Sequence, residues 1–299
     1  MAALSWALLG DRGVLEIAGE ERVPFLQGLV SNDVAKAGPS RAIHAALLTA
    51  QGRYLHDFFI VAAGDALVLD AEAARLDDLR RRLSLYKLRS KVTIAPASER
   101  WEIAAAWGDG VARALGLDDE AGAARAIAGG IAYIDPRLAS LGARLLVPKG
   151  EAARALEGAG FAPAPRDEYD RMRLALGVPD GSRDLAVEKA LLVESGFDEM
   201  NGIDWQKGCY IGQEITARMK YRALAKKRLV PVDVEGALPP PGTPVLFGDE
   251  EAGELCSGRD GAALALLRTE LVEKAEETGA ALVAGGAKLR PRIPAWARD

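Results

Sequence analysis

KGCYIGQE, residues 207–214, holds one of only two cysteines in a chain of 299 residues. Cys209 sits between Gly208 and Tyr210, with Lys207 two residues before it and Glu214 five after. A thiol attacks or binds metal only as the thiolate, and its ordinary pKa is about 8.5. Two neighbours favour the anion. Lys207 brings a positive charge, and GQEITARMKY (212–221) reads as a helix whose N-terminal dipole would face the sulfur. Gly208 and Gly212 leave the backbone open to a close ligand. The plainer readings stand beside these. Cys209 can be a small packed loop residue, Glu214 a carboxylate that offsets the dipole, and Gln213 a cap for orphan N–H groups. Arg218 and Lys220 fit a solvated helix face.

Lys and Arg number 38 against 43 Asp and Glu, a net charge of −5. That excludes broad, non-specific nucleic-acid binding, which needs a basic footprint. Two cysteines cannot make a disulfide framework and indicate a reducing compartment. MAALSWALLGDRG at the start lacks a basic segment before its apolar run, so no signal peptide is expected. No run approaches the roughly 18 apolar residues of a membrane helix, so no membrane partner is expected. The expected location is the cytoplasm. Metal ligation by a protein cage is not expected, because Cys209, Cys256, His44 and His56 lack ligand spacing and a closed zinc site wants about four donors. Cys256 lies in an apolar strand and reads as core.

Strands are expected at VLEI (14–17), IHAALLT (43–49), YLHDFFIV (54–61), ALVLD (66–70) and KVTIAP (91–96). QGR (51–53) turns the second into the third as a hairpin. Helices are expected at ERVPFLQGLV (21–30), with Pro24 in the first turn, and at 71–88, where Leu76, Leu79, Leu83 and Tyr86 recur at intervals of three and four. WEIAAAW (101–107), IAYID (131–135) and ARLLVP (143–148) read as further strands. EAARALEGAG (151–160) and DEYDRMRLALG (167–177) read as helices closed by glycine. Strands and helices mix without a βα repeat, so the fold class is α+β. From residue 226 short strands alternate with Gly and Pro, which predicts a separate β-barrel or sandwich. The expected division is 1–225 and 226–299, with GGAKLRPRIPAWARD (285–299) as an irregular tail. Asp57 shares a strand face with Leu55 and Phe59. A carboxylate so placed pairs with a base such as Arg53, lies near a strand end, or lines a pocket where it could exchange a proton with a ligand nitrogen. His56 faces the other way, so the two form no dyad.

KGCYIGQE resembles the signature of the YgfZ family of folate-binding proteins, relatives of the glycine cleavage T-protein. FLQGLVSNDV (25–34), LLTAQGRYLHDFFI (47–60), LRSKVTIAP (88–96), YIDPR (133–137), RLALGVPDG (173–181) and KKRLV (226–230) follow in the family's order. The resemblance implies two intertwined α+β lobes, one ferredoxin-like, around a central channel, followed by a C-terminal β-barrel. It implies tetrahydrofolate as cofactor. The implied role is assembly or repair of four-iron enzymes, with iron–sulfur enzymes or cluster carriers as partners and effects on tRNA modification through such enzymes. Carried over, Cys209 is the functional thiol and Lys207 tunes its charge, while Gly208, Tyr210, Gly212, Gln213 and Glu214 complete the signature. Gln51, Arg53 and Asp57 fall in the segment resembling the T-protein's folate-contacting hairpin, and Asn32 in a neighbouring loop. The T-protein's acidic pair is replaced here by His56 and Asp57. That counts against the alternative activity, aminomethyl transfer or demethylation with folate as acceptor.

Overall fold

The computed structural model describes residues 2–297. In chain order the elements are β1 (Ser5–Leu8), β2 (Arg12–Ala18), α1 (Arg22–Gln27), β3 (Ile43–Leu48), β4 (Tyr54–Ala63), β5 (Ala66–Glu72), α2 (Leu76–Lys87), β6 (Thr93–Pro96), β7 (Trp101–Trp107), α3 (Val111–Leu115), β8 (Ala124–Ile127), β9 (Gly130–Ile134), β10 (Ala143–Pro148), α4 (Ala152–Gly158), β11 (Ala162–Pro163) and α5 (Arg166–Ala175). There follow α6 (Gln213–Tyr221), β12 (Lys227–Glu235), β13 (Pro244–Phe247), β14 (Glu250–Arg259), β15 (Ala262–Arg268), α7 (Thr269–Thr278), β16 (Leu282–Ala284) and β17 (Ala287–Pro291). The chain forms two compact units. One gathers Met1–Ala50, Leu55–Tyr169 and Met200–Gln213; the other gathers Gln51–Tyr54, Asp170–Glu199 and Glu214–Asp299.

The first unit holds two sheets, with strand orders β11-β1-β7-β10-β9-β8 and β3-β4-β5-β2-β6. The chain starts in the six-stranded sheet, leaves to build the five-stranded one, and returns at β7, so the two lobes are interleaved. Side-chain alternation gives the six-stranded sheet two different faces. Ala104, Ala106, Ala132, Ile134 and Leu145 pack with Val111, Leu115 and Leu156 of α3 and α4. Tyr133 and Arg144, cross-strand partners, lie on the opposite face and meet the other sheet. There Asp70 accepts from Arg12 Nε at 2.6 Å, Arg144 Nη2 at 2.7 Å and the Tyr133 hydroxyl at 3.3 Å. Arg12, Arg137 and Arg144 all lie over the Phe59 ring, 5.7, 4.9 and 4.2 Å from its centroid. Asp135 holds Arg137 at 2.8 Å. A buried charge survives only when paired and hydrogen-bonded, and the guanidinium fork satisfies both demands. The flanking arginines hold the Asp70 and Asp135 carboxyls below the usual range, against the opposing effect of burial.

The strand β4 is buried on both faces over its first eight residues. Its two polar residues therefore need internal partners. Asp57 takes His44 Nε2 of β3 at 3.0 Å, and His56 Nε2 lies 2.9 Å from Asp78 of α2. The expected opposition of His56 and Asp57 is realised, each with its own partner.

In the second unit β12, β15, β14, β13, β16 and β17 close a barrel. Val232, Val245, Leu255, Leu267, Leu282 and Leu289 fill it, and Leu271 and Val272 of α7 belong to the same core. Gly253 needs to be glycine. Its φ is +153°, and a Cβ there would stand 1.9 Å from the Leu266 carbonyl oxygen. Buried Arg173 of α5 donates to Asp170, Asp184 and Ser257 Oγ at 2.6, 2.6 and 2.7 Å, tying α5 to β14. The expected irregular tail is corrected. Residues 287–291 form β17, which pairs with both β12 and β16 and closes the barrel. Residues 298 and 299 of that stretch lie outside the described residues. The helix α7 was not expected among the strands.

Burial lowers the pKa of His44, and that of His56 to about 4. Both are neutral in the folded state at neutral pH, whereas unfolding restores the ordinary value of about 6.5. Their stabilisation is therefore full above pH 6.5 and falls below it, that of His56 being lost as pH approaches 4. We expect unfolding at pH 5 to take up about one proton at His56, with His44 adding in the same direction. The urea midpoint measured from pH 7 to 4.5 checks this, and a His56→Gln variant, which leaves the His44–Asp57 pair intact, should flatten part of the dependence.

Candidate functional site

The six-residue α1 ends at Gln27, followed by Gly28, and leaves its last carbonyls without intrahelical partners. Lys207 fills that role from 180 residues away. Its Nζ donates to the carbonyls of Gln27 at 2.7 Å and Val30 at 2.5 Å. A cation at a helix C-terminus is favoured by the dipole as well as by the hydrogen bonds. Ile211 N donates to Gly28 O at 3.3 Å, and Gln27 Nε2 reaches Lys207 O at 3.4 Å. The Lys207 ammonium also lies 5.0 Å from the centre of the Tyr210 ring, a cation–π distance. The motif loop is thus clamped to the end of FLQGLVSNDV. Gln27 continues the tie on that side, donating to Asp33 at 2.8 Å and accepting from Val34 N at 2.8 Å. Burial pushes the Lys207 amine down to about 8, partly opposed by Asp33 and Asp204.

Between these anchors Cys209 is exposed. Gly208 (φ +87°) and Gly212 (φ +84°) bracket it in left-handed geometry. A Cβ at Gly208 would meet nothing within 4 Å, so backbone conformation, not space, requires glycine there. Tyr210 is buried, and its N–H donates to Gln213 Oε1 while Gln213 N donates back to Tyr210 O, at 3.3 and 3.2 Å. That exchange turns the chain into α6, which begins at Gln213, as the sequence predicts to within one residue. Glu214 is exposed in the first turn of α6. The Lys207 hydrogen bonds go to the carbonyls of Gln27, the last residue of α1, and of Val30 beyond it, and not to the sulfur. Its position is that of a clamp.

The residues that the resemblance assigns to folate are placed differently. Asn32 and Asp57 are 7% and 6% exposed. The Asn32 amide donates to His44 O and Asn201 O, both at 2.7 Å, and its oxygen accepts from Asp33 N. Asp57 is engaged by His44. In the second unit, Arg53 Nη1 donates to Lys189 O at 2.7 Å and Gln51 is exposed. The polar atoms of Asn32 and Asp57 are directed to partners inside the protein, whereas Gln51 and Arg53 remain exposed. His44 was not anticipated as the partner of Asp57; hairpin register between β3 and β4 was the signal that could have found it. Among the described residues no group of three or more His, Cys, Asp and Glu side chains is placed to hold a metal ion.

The family described as "CAF17, C-terminal beta-barrel domain" matches residues 226–299. The mouse mitochondrial iron–sulfur cluster assembly factor IBA57 is 32% identical over 89% of this chain and 78% of its own. The human protein of that name is 33% identical over 91% and 80%. Among solved structures, the glycine cleavage aminomethyltransferase T of Bartonella henselae superposes with a TM-score of 0.75 at 14% identity, covering 96% of this chain and 84% of that one. That likeness establishes the glycine cleavage T-protein fold, completed by the closed barrel. The cytoplasmic expectation is corrected, since these relatives are named mitochondrial. Scarce cysteines report a reducing environment and do not say which compartment provides it.

The two thiols should be chemically distinct. Burial raises the Cys256 thiol well above its ordinary value. Titration of the native protein with a disulfide reagent is expected to modify Cys209 alone, with Cys256 reacting only after denaturation. Native protein that reacts at both sites, or at neither, would contradict the described exposure.

Proposed function

The chain belongs to the family of the iron–sulfur cluster assembly factors IBA57, and from that premise we propose that it is an accessory protein for building iron–sulfur clusters on client enzymes, with Cys209 as its working group. One observation carries the proposal: the thiol is exposed on a loop whose two sides are pinned, by Lys207 and by Ile211, to the end of α1. A soft thiolate suits iron. Among the described residues no group of three or more His, Cys, Asp and Glu side chains could complete a metal site, so in this reading Cys209 supplies one ligand and a cluster-bearing partner supplies the others. The cluster is cargo in this reading. The chain's own residues position the ligand: Lys207 fixes the loop, Gly208 and Gly212 allow its turns, and Tyr210 anchors it.

The fold shared with an aminomethyltransferase motivates a second reading, a folate-dependent step or one-carbon transfer. Asn32 and Asp57 are spent on internal partners, so no step is derived through folate. Fluorescence titration with tetrahydrofolate is expected to show no saturable quenching at high micromolar ligand; saturable quenching would restore the folate reading.

In cells that lack the native protein, Cys209→Ala should fold normally yet leave four-iron enzymes with activity close to the deletion. Wild-type activity with Cys209→Ala would end the proposal.

A further inference from the structure

One stretch singled out in the sequence has no part in the Cys209 loop: LRSKV, at the end of α2. It is the most exposed apolar feature of the first unit. Leu85 and Tyr86 are 66% and 45% exposed, and Leu88 is 88% exposed. A globular surface tolerates single apolar residues, but three large ones within four positions mark a contact. Leu88 also adopts φ +42°, a left-handed conformation unfavourable for a leucine. That turn is held by Ser90 N donating to Lys87 O at 2.7 Å.

The electrostatics around this tip oppose those of the whole chain. Residues 80–91, RRRLSLYKLRSK, carry Arg80, Arg81, Arg82, Lys87, Arg89 and Lys91 and no acid, in a chain of net charge −5. Arg80 pairs with Asp77, Arg81 and Arg82 pair with Asp78, and Lys91 pairs with Glu20. Lys87 and Arg89, which alternate with the exposed leucines, make no ion pair among the described residues. Position links the tip to the thiol. Lys91 N donates to Glu21 Oε2 at 2.5 Å, just ahead of α1. Lys207 grips the other end of that helix. Six helical residues rise about 9 Å, so the tip and the Cys209 loop flank one short helix. A standard interface covers about 800 Å² per partner and spans that distance readily.

We infer that the α2 tip, Leu85, Tyr86 and Leu88 with Lys87 and Arg89, is the docking contact for the protein that shares the cluster with Cys209. The partner presents an apolar recess rimmed by carboxylates. The apolar residues supply the buried anchor, and the two unpaired cations set orientation and encounter rate. This inference rests on the cluster-assembly reading.

The test uses the full chain in cells that lack the native protein. Leu88→Asp, and separately Lys87→Glu with Arg89→Glu, should each lower four-iron enzyme activity about fivefold or more, as loss of an interface anchor does, with an unchanged melting temperature. Tyr86→p-benzoylphenylalanine should photocrosslink to a protein that contains iron and acid-labile sulfide. With diamide added as the two-electron oxidant, the same protein should be trapped as a mixed disulfide at Cys209, and Leu88→Asp should abolish the photocrosslink. Full activity of both surface variants alongside a defective Cys209→Ala overturns the docking inference alone. Full activity of Cys209→Ala itself overturns the cluster reading. A photocrosslink only to a second copy of this chain, or a tip needed only for binding to phosphatidylglycerol vesicles, also overturns the inference.

Discussion

The Lys207 ammonium on the carbonyls of Gln27, at the end of α1, and of Val30, just past it, is the contact on which the candidate site depends. Burying a cation is costly unless its donors are used. Here two carbonyls and an aromatic face use them, and the same contacts cap a helix too short to be stable alone. The consequence reaches past the lysine. With residues 207 and 211 fixed, the backbone between them must turn sharply, which the positive-φ Gly208 permits, and Gly212 turns it again just before α6. The thiol is left outside. A reactive cysteine is more useful held rigidly in solvent than buried, provided the holding group does not consume the sulfur's own bonding capacity.

A second constraint of the same kind organises the body of the first unit. Two sheets meet through Asp70, Arg12, Arg144, Tyr133 and Phe59 rather than through hydrocarbon alone. Such a network is weak evidence for stability, since apolar replacements can be as stable. It restricts how the sheets can be set against each other, because a shifted register would strand a buried charge.

Much of the local structure was legible in the residues. The apolar run after the QGR turn placed β4, the leucine spacing placed α2, and the Gly and Pro density after residue 225 marked the barrel. What escaped was set by partners distant in sequence. AKLRP looks like a charged tail until β12 and β16 supply its two neighbours and bury Leu289. TELVEKAEET forms α7 among the strands, with Leu271, Val272 and Ala275 buried. The reading of Asp57 stayed open between a strand end, a base such as Arg53 and a pocket, because nothing in its own strand names His44. At the site, the thiol and its glycines were readable from eight residues. The role of Lys207 was not, since the carbonyls it caps lie 180 positions earlier.

The account makes the clamp and the thiol one device, and four-iron enzyme activity in cells carrying Lys207→Met measures that link most directly. Removing the amine leaves carbonyls of α1 unsatisfied at a cost of about 1–3 kcal/mol and frees the loop. The account predicts a folded protein with a titratable Cys209 and client activity reduced at least about tenfold, the effect expected when a positioned ligand drifts. Full client activity with Lys207→Met would contradict it.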